Sequence, residues 1–346
     1  MCIRDRLKYI HEKDPGYQRS QVFFFRINNM QMHLKAIKAE LKSLPGIEAV
    51  TTSDNKLVDN THTTAGVDWD GKEPNTLFVV HHLGIDENFI PTLKIKLLAG
   101  SNFTAAKSDS VHFMLNETAV RLTGIKNPIG KRFKYQETEG IITAVIKDFN
   151  TASLRDRIEP TVIYYEPKGD YLYIKTTGAQ AAKAIASATR LWTQYNPGFP
   201  FEYTFMDEEY GDLYKTEHRT GILFSIFSFM TIMVSCLGLL GLAAYSAQAM
   251  TKEIGIRKIL GASIVNIVTL ITKGFLEPVL LAILIASPIA WWVASKWLQN
   301  FAYRVHISWW ITLVAGVMAI LIAVSAISFQ SIKAALVNPI KSLRSE

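Results

Sequence analysis

The apolar positions of this chain change character at about residue 219. Before it they come in short runs with helical or alternating spacing, and after it they merge into three long stretches. Residues 222–245 carry no charge and suffice for a bilayer span at a rise of about 1.5 Å per residue. A second span is expected over 278–295, prolonged inward by a helix that Ser263 caps and kinked around Gly274, Pro278 or Pro288. The third is expected over 306–332. In the first part, Asn28 or Asn29 is placed to cap a helix through Met32, Ile37 and Leu41 that Pro45 and Gly46 stop. Strands are expected at 47–52, 77–83, 111–115, 141–146, 161–165, 171–175 and 201–205, with a Thr-, Asp- and Gly-rich loop or hairpin at 61–75. Asn116 should cap a short helix through Val120 and Leu122, and a longer helix covers 179–195. The interleaving lacks a strict βαβ rhythm. It predicts an α+β domain over 21–206, a stalk helix over 207–219 and an all-α, three-helix transmembrane domain over 220–346. Residues 1–20 are polar, contain no signal-peptide core and stay unassigned; Val22–Phe25 is too short a run to cross a bilayer.

One polar interruption organises the membrane part. Lys252–Ser263, KEIGIRKILGAS, lies between the first two spans, with Thr251 as N-cap, Glu253 in the first turn and Gly261 as the stop, so 252–261 reads as a short helix. At 100° per residue, Ile256, Ile259 and Leu260 share one face, suited to the membrane or to the ends of the spans, with Glu253 as a further support. Ile254, Arg257, Lys258 and Gly261 share the other, an apolar knob beside two cations and a glycine, which reads as a docking surface. An interfacial helix that only anchors a loop has the same pattern, with a Glu253–Arg257 pair worth about 0.3–0.5 kcal/mol. Small residues form two further stripes, Gly238 with Gly241 and Ala315, Ala319 with Ala323. They suit close helix packing inside the bundle or in a dimer.

Charge orients the bundle. Lys252, Arg257, Lys258 and Lys273 in the first loop, with Lys333, Lys341 and Arg344 in the tail, outweigh Lys296 and Arg304 in the second loop. The first loop and the C-terminus are therefore expected in the cytoplasm and the large domain outside, although Lys215 and Arg219 argue the other way. Trp291, Trp292, Trp297, Trp309 and Trp310 gather at the opposite interface as an aromatic belt. A domain of about 200 residues ahead of its first span needs a preceding signal or anchor to cross, so the sequence reads as a fragment or as half of a duplicated protein.

The net charge of +7 comes without a basic run or a nucleic-acid motif, so no nucleic-acid partner is expected. Cys2 and Cys236 make neither a disulfide framework nor a CxxC metal site. His81 and His82 are adjacent on a strand and point to opposite faces, which argues against a shared metal. Gly124–Lys131, GIKNPIGK, has five residues between its glycines and Arg132 after its lysine, so it fails as a phosphate loop and reads as a turn. No catalytic, cofactor or metal residues are assigned, and an enzyme is not expected.

Three sets of residues resemble a known family. KEIGIRKILGAS, preceded by GLLGLAAYSAQ (238–248) and followed by NPIKSLRSE (338–346), resembles the MacB/FtsX-like ABC transporter permeases. NETAV (116–120), GIKNPIGKRF (124–133) and VIKDFN (145–150) resemble the periplasmic core domain of such permeases, in the forms common in Bacteroidetes-type bacteria. The resemblance implies a multi-pass inner-membrane permease with a periplasmic domain and a cytoplasmic C-terminus, lacking the first of the family's four spans. Its coupling helix would dock on an ABC ATPase subunit that binds the ATP, so the chain itself needs no cofactor. It implies a second permease copy or half in the bilayer, a periplasmic adaptor and outer-membrane channel as further partners, and efflux by mechanotransmission. Two alternatives stay open, an FtsX-type regulator of a cell-wall hydrolase and a membrane-anchored sensor or enzyme.

Overall fold

The computed structural model describes residues 14–152, 157–250, 253, 256–257, 260–298 and 309–335. Of the described residues, those from Asp14 to Thr216 form one compact unit and those from Glu217 onward another. The first unit is a mixed sheet with helices, and the second is helical, an α+β domain followed by a transmembrane-type domain.

The sheet contains β1 (Val22–Arg26), β2 (Ile47–Ser53), β3 (Thr63–Thr64), β4 (Val67–Trp69), β5 (Val80–Ile85), β6 (Leu97–Gly100), β7 (His112–Asn116), β8 (Arg132–Tyr135), β9 (Thr138–Ile146), β10 (Thr161–Tyr165), β11 (Tyr171–Thr176) and β12 (Thr204–Phe205). Its main path runs β12-β1-β11-β2-β5-β10-β7-β9-β8-β4, with β3 on β5 and β6 on β9. β5 with β10 and β7 with β9 are parallel, and the other pairs are antiparallel. The helices of this unit are α1 (Leu34–Ser43), α2 (Phe89–Leu93), α3 (Glu117–Thr123), α4 (Ala181–Tyr195) and α5 (Met206–Asp212).

The short Val22–Phe25 run is the strand β1, apolar throughout because both of its faces are buried. Phe23 and Phe25 join Ile37 and Leu41 of α1 and Ala188 and Trp192 of α4 on one side, while Val22 and Phe24 join Tyr173, Phe89 and Met114 on the other. A third cluster gathers Trp69, Phe113, Phe133 and Tyr135 at the far edge. Asp86 is fully buried between α1 and β2. It accepts hydrogen bonds from Lys38 Nζ, Thr51 Oγ1, Thr52 Oγ1 and the amides of Thr52 and Asn88.

Several expected elements shift. The helix expected from Asn28 or Asn29 starts as a 3-10 turn over Asn28–His33, and neither asparagine caps α1. Asn28 sits at φ +50°, and the Asn29 amide donates to Asn196 Oδ1 at 3.1 Å. The strand expected over 201–205 is confined to Thr204–Phe205. The stalk expected as one helix over 207–219 is two, because Leu213 and Tyr214 form a turn between α5 and the next helix. Asn116 does cap α3, its side chain accepting from the Ala119 amide at 2.9 Å.

The second unit consists of α6 (Lys215–Ala249), α7 (Ile264–Leu298) and α8 (Trp309–Ala335). These helices contain three segments long and apolar enough to cross a membrane, Arg219–Ser246, Thr272–Lys296 and Trp309–Ser328. α7 runs through both Pro278 and Pro288 as one helix.

Candidate functional site

Of the segment between the first two spans, the structure describes Glu253, Ile256, Arg257 and Leu260–Ser263; Thr251, Lys252, Ile254, Lys258 and Ile259 lie outside the described residues. The local chemistry of its end is clear. Gly261 has φ +88°, the Ala262 amide donates to the Arg257 carbonyl at 2.9 Å, and Leu260 donates to Ile256 at 3.0 Å. This is the six-to-one bond of a Schellman end, with Gly261 at the left-handed position. A Cβ on Gly261 would meet nothing within 4 Å, so backbone conformation, not space, calls for glycine there. The Asn266 amide then donates to Ser263 Oγ at 3.3 Å, and α7 begins.

Glu253 and Arg257 form the expected ion pair, Oε1 to Nη2 at 2.5 Å, with both side chains about half exposed (47% and 48%). Ile256 and Leu260 are 52% and 80% exposed, so among the described residues nothing covers these two positions of the apolar face. Among the described residues a cation, an acid and two large apolar side chains are thus presented outward on one short segment. That combination suits a protein or interfacial surface and includes no acid–base or metal constellation among its described residues.

The small-residue stripes fare differently. Along α8, Ala323 is buried, whereas Ala315 and Ala319 are exposed. The contact with α7 runs instead through Gly316, where a Cβ would come to 3.4 Å of Ile283 Cγ2, and through the face that continues to Ala323 and Ile327. Gly238 and Gly241 are exposed, with nothing within 4 Å of an added Cβ. Among the described residues, nothing packs on the stripe at 315 and 319.

In the outer unit the motifs NETAV and VIKDFN interlock. Asp148 accepts from the Thr118 amide and hydroxyl, and the Asp148 amide donates to Glu117 Oε2 at 3.0 Å. GIKNPIGK forms the expected turn, with Gly124, Asn127 and Gly130 at positive φ and the Lys131 amide on the Pro128 carbonyl at 3.1 Å. His81 and His82 do diverge. His81 Nε2 pairs with Glu159, while the His82 ring lies beside those of His62, Tyr135 and Tyr164 at 5.6, 5.7 and 6.2 Å. Burial lowers the His82 pKa against the pull of Asp54. Near His81 a cavity of about 330 Å³ is lined by Asn60, Asn150 and Glu159, and also by Ala152 and Arg157, which flank residues 153–156 outside the described set.

Sequence reasoning missed the contacts that pin α5. Arg19 Nε meets Asp207 Oδ1 at 2.9 Å, its guanidinium lies 4.1 Å from the Tyr210 ring centre, and Lys56 Nζ meets Glu209 Oε1 at 2.7 Å. Each joins residues more than 150 positions apart, so no local pattern signals them.

Residues 225–339 match the FtsX-like permease C-terminal family, a stretch that holds most of the three apolar spans and the whole of the polar interruption. Over these residues the chain is similar to an FtsX-like permease domain. No curated relative matches the chain. Among solved structures, the periplasmic region of MacB from Actinobacillus actinomycetemcomitans aligns with 60% of this chain and 98% of its own length, at 15% identity and a TM-score of 0.43. The extracellular domain of the noncanonic ABC-type transporter YknZ from Gram-positive bacteria aligns with 53% and 97%, at 15% identity and a TM-score of 0.38. The match and the three helical segments long and apolar enough to cross a membrane together support a membrane protein of the permease type.

Proposed function

We propose that the chain is the permease subunit of an ABC transporter that turns ATPase movement in the cytoplasm into movement of its outer domain, for efflux or export. The observation that carries this reading is the FtsX-like match over 225–339, which encloses the polar segment 252–263 between the first two spans. On this reading Ile254, Arg257, Lys258 and Gly261 meet the partner ATPase, and Glu253, Ile256, Ile259 and Leu260 support them. The partner binds the ATP. The C-terminus lies in the cytoplasm, the outer domain lies beyond the inner membrane, and a second permease copy or half shares the bilayer. A periplasmic adaptor and an outer-membrane channel extend the path in an envelope with two membranes.

The first span favours mechanical work over a solute path. Residues 222–245 carry no ionisable side chain apart from Cys236 and Tyr245, whereas polar translocation routes place charged groups near the bilayer midplane. The test is purification of the full chain from its native membrane in mild detergent, followed by mass spectrometry. An ABC ATPase in stoichiometric amount supports the reading. A chain that purifies with its membrane neighbours but without any ATPase contradicts it.

A further inference from the structure

The helix α5 is held to the outer domain by a short apolar stripe and by ion pairs. Met206, Tyr210 and Tyr214, at i, i+4 and i+8, are buried and Leu213 packs against the same cluster, and three polar contacts add to them: Arg19 to Asp207, the Arg19 guanidinium over Tyr210, and Lys56 to Glu209. Glu209 Oε2 and Tyr17 Oη are buried beside this seam without a hydrogen-bond partner. Asp86, by contrast, has every donor it needs within the same domain. The strand leading into α5, β12, pairs with β1 over only two residues, Phe205 with Phe23 and Thr204 with Phe24.

The far end of α5 is weak as well. Gly211 stands next to its last residue, where a Cβ would meet nothing within 4 Å, so no packing requires the glycine and its freedom only loosens the helix. The turn at Leu213–Tyr214 follows, and then α6, which carries the first span. A short helix at the end of a domain, joined to the sheet by a two-residue strand and held in part by exchangeable ion pairs, opens locally at less cost than the strands of a core sheet.

We infer that α5 is a latch: residues 206–214 unpin from the outer domain as one unit while the sheet stays folded, and Arg19–Asp207 and Lys56–Glu209 are the contacts that open. As a device, this rests on the mechanical reading given above, because a latch at the base of α6 sets how much of that helix's movement the sheet feels. With the latch closed, the sheet follows α6. With it open, α6 moves alone.

Hydrogen exchange of the full chain in detergent, read by mass spectrometry without any ATPase, tests the latch separately from the transporter reading. Peptides covering 206–214 should exchange faster than those covering β1 and β11. Lys56→Met should speed exchange of 206–214 by about tenfold and leave β1 and β11 unchanged. The swap Lys56→Glu with Glu209→Lys should restore part of the protection. Gly211→Ala should slow the same peptides by about threefold, which keeps the test valid if Lys56→Met misfolds. Exchange of 206–214 in step with β1 and β11 in wild type and variants alike would overturn the latch. So would an unchanged 206–214 in both Lys56→Met and Gly211→Ala. Neither result bears on whether an ATPase binds.

Discussion

The carboxylate of Asp148 receives both the amide and the hydroxyl of Thr118, at 2.9 and 2.7 Å. It thereby ties the start of α3 to the chain leaving β9. Thr118 is 2% exposed, so water cannot replace either bond without opening the domain. Two hydrogen bonds to one charged acceptor make this a fastening point and explain why the NETAV and VIKDFN stretches occur together.

Asp148→Ala should therefore lower the unfolding free energy of the outer domain by about 2 kcal/mol, as expected for lost hydrogen bonds to a charged group. Thr118→Val, which keeps the shape and the backbone bond, should cost less. Urea unfolding followed by intrinsic fluorescence measures both, and equal costs would show that the hydroxyl carries the whole effect.

Asp86 is the more severe site. Removing its charge leaves Lys38 and a set of buried donors without their acceptor, so Asp86→Ala should cost about 3 kcal/mol or more. Lys38→Met, which still leaves Asp86 accepting from Thr51, Thr52 and Asn88, should cost less. A milder effect for Asp86→Ala than for Lys38→Met in the same urea titration would contradict this ranking.

His82 gives the outer domain a pH dependence. Its folded pKa lies below 6.5, chiefly because burial disfavours the imidazolium, so the fold binds fewer protons here than the unfolded chain. Its stabilising contribution is complete above pH 6.5 and is lost as pH falls from there through the folded pKa. Thermal unfolding at pH 7.5 and 5.5 should show a smaller acid-side drop for His82→Phe, which keeps a ring beside Tyr135 and Tyr164, than for wild type. Identical drops would show that other groups set this dependence.

The membrane helices were readable because long uncharged runs have few other uses, and the Asn116 cap because its signal is local. β1 was not readable as a strand. Val22–Phe25 is buried on both faces and so lacks the alternation that marks a strand with one solvated face. α2 was hidden by Pro91 in its middle, and α5 was merged with α6 because nothing in the sequence marks the turn at Leu213–Tyr214. On α8 the four-residue spacing of Ala315, Ala319 and Ala323 drew attention to a stripe, yet of these only Ala323 is buried, and the close approach to α7 is at Gly316. Small residues show where helices can meet; only the partner decides which of them do.

The docking role given to Arg257 is the central claim, and its ion pair with Glu253 offers a way to isolate it. The measurement is recovery of the partner ATPase with three forms of the full chain in mild detergent: wild type, Arg257→Glu, and Arg257→Glu combined with Glu253→Arg. The double variant restores an i, i+4 pair on the helix but moves the positive charge by one turn. The account predicts that the ATPase accompanies wild type and is lost from both variants, because the position of the cation matters at the interface. Recovery equal to wild type in Arg257→Glu would contradict it, and rescue in the double variant would reduce Arg257 to a support of its own helix.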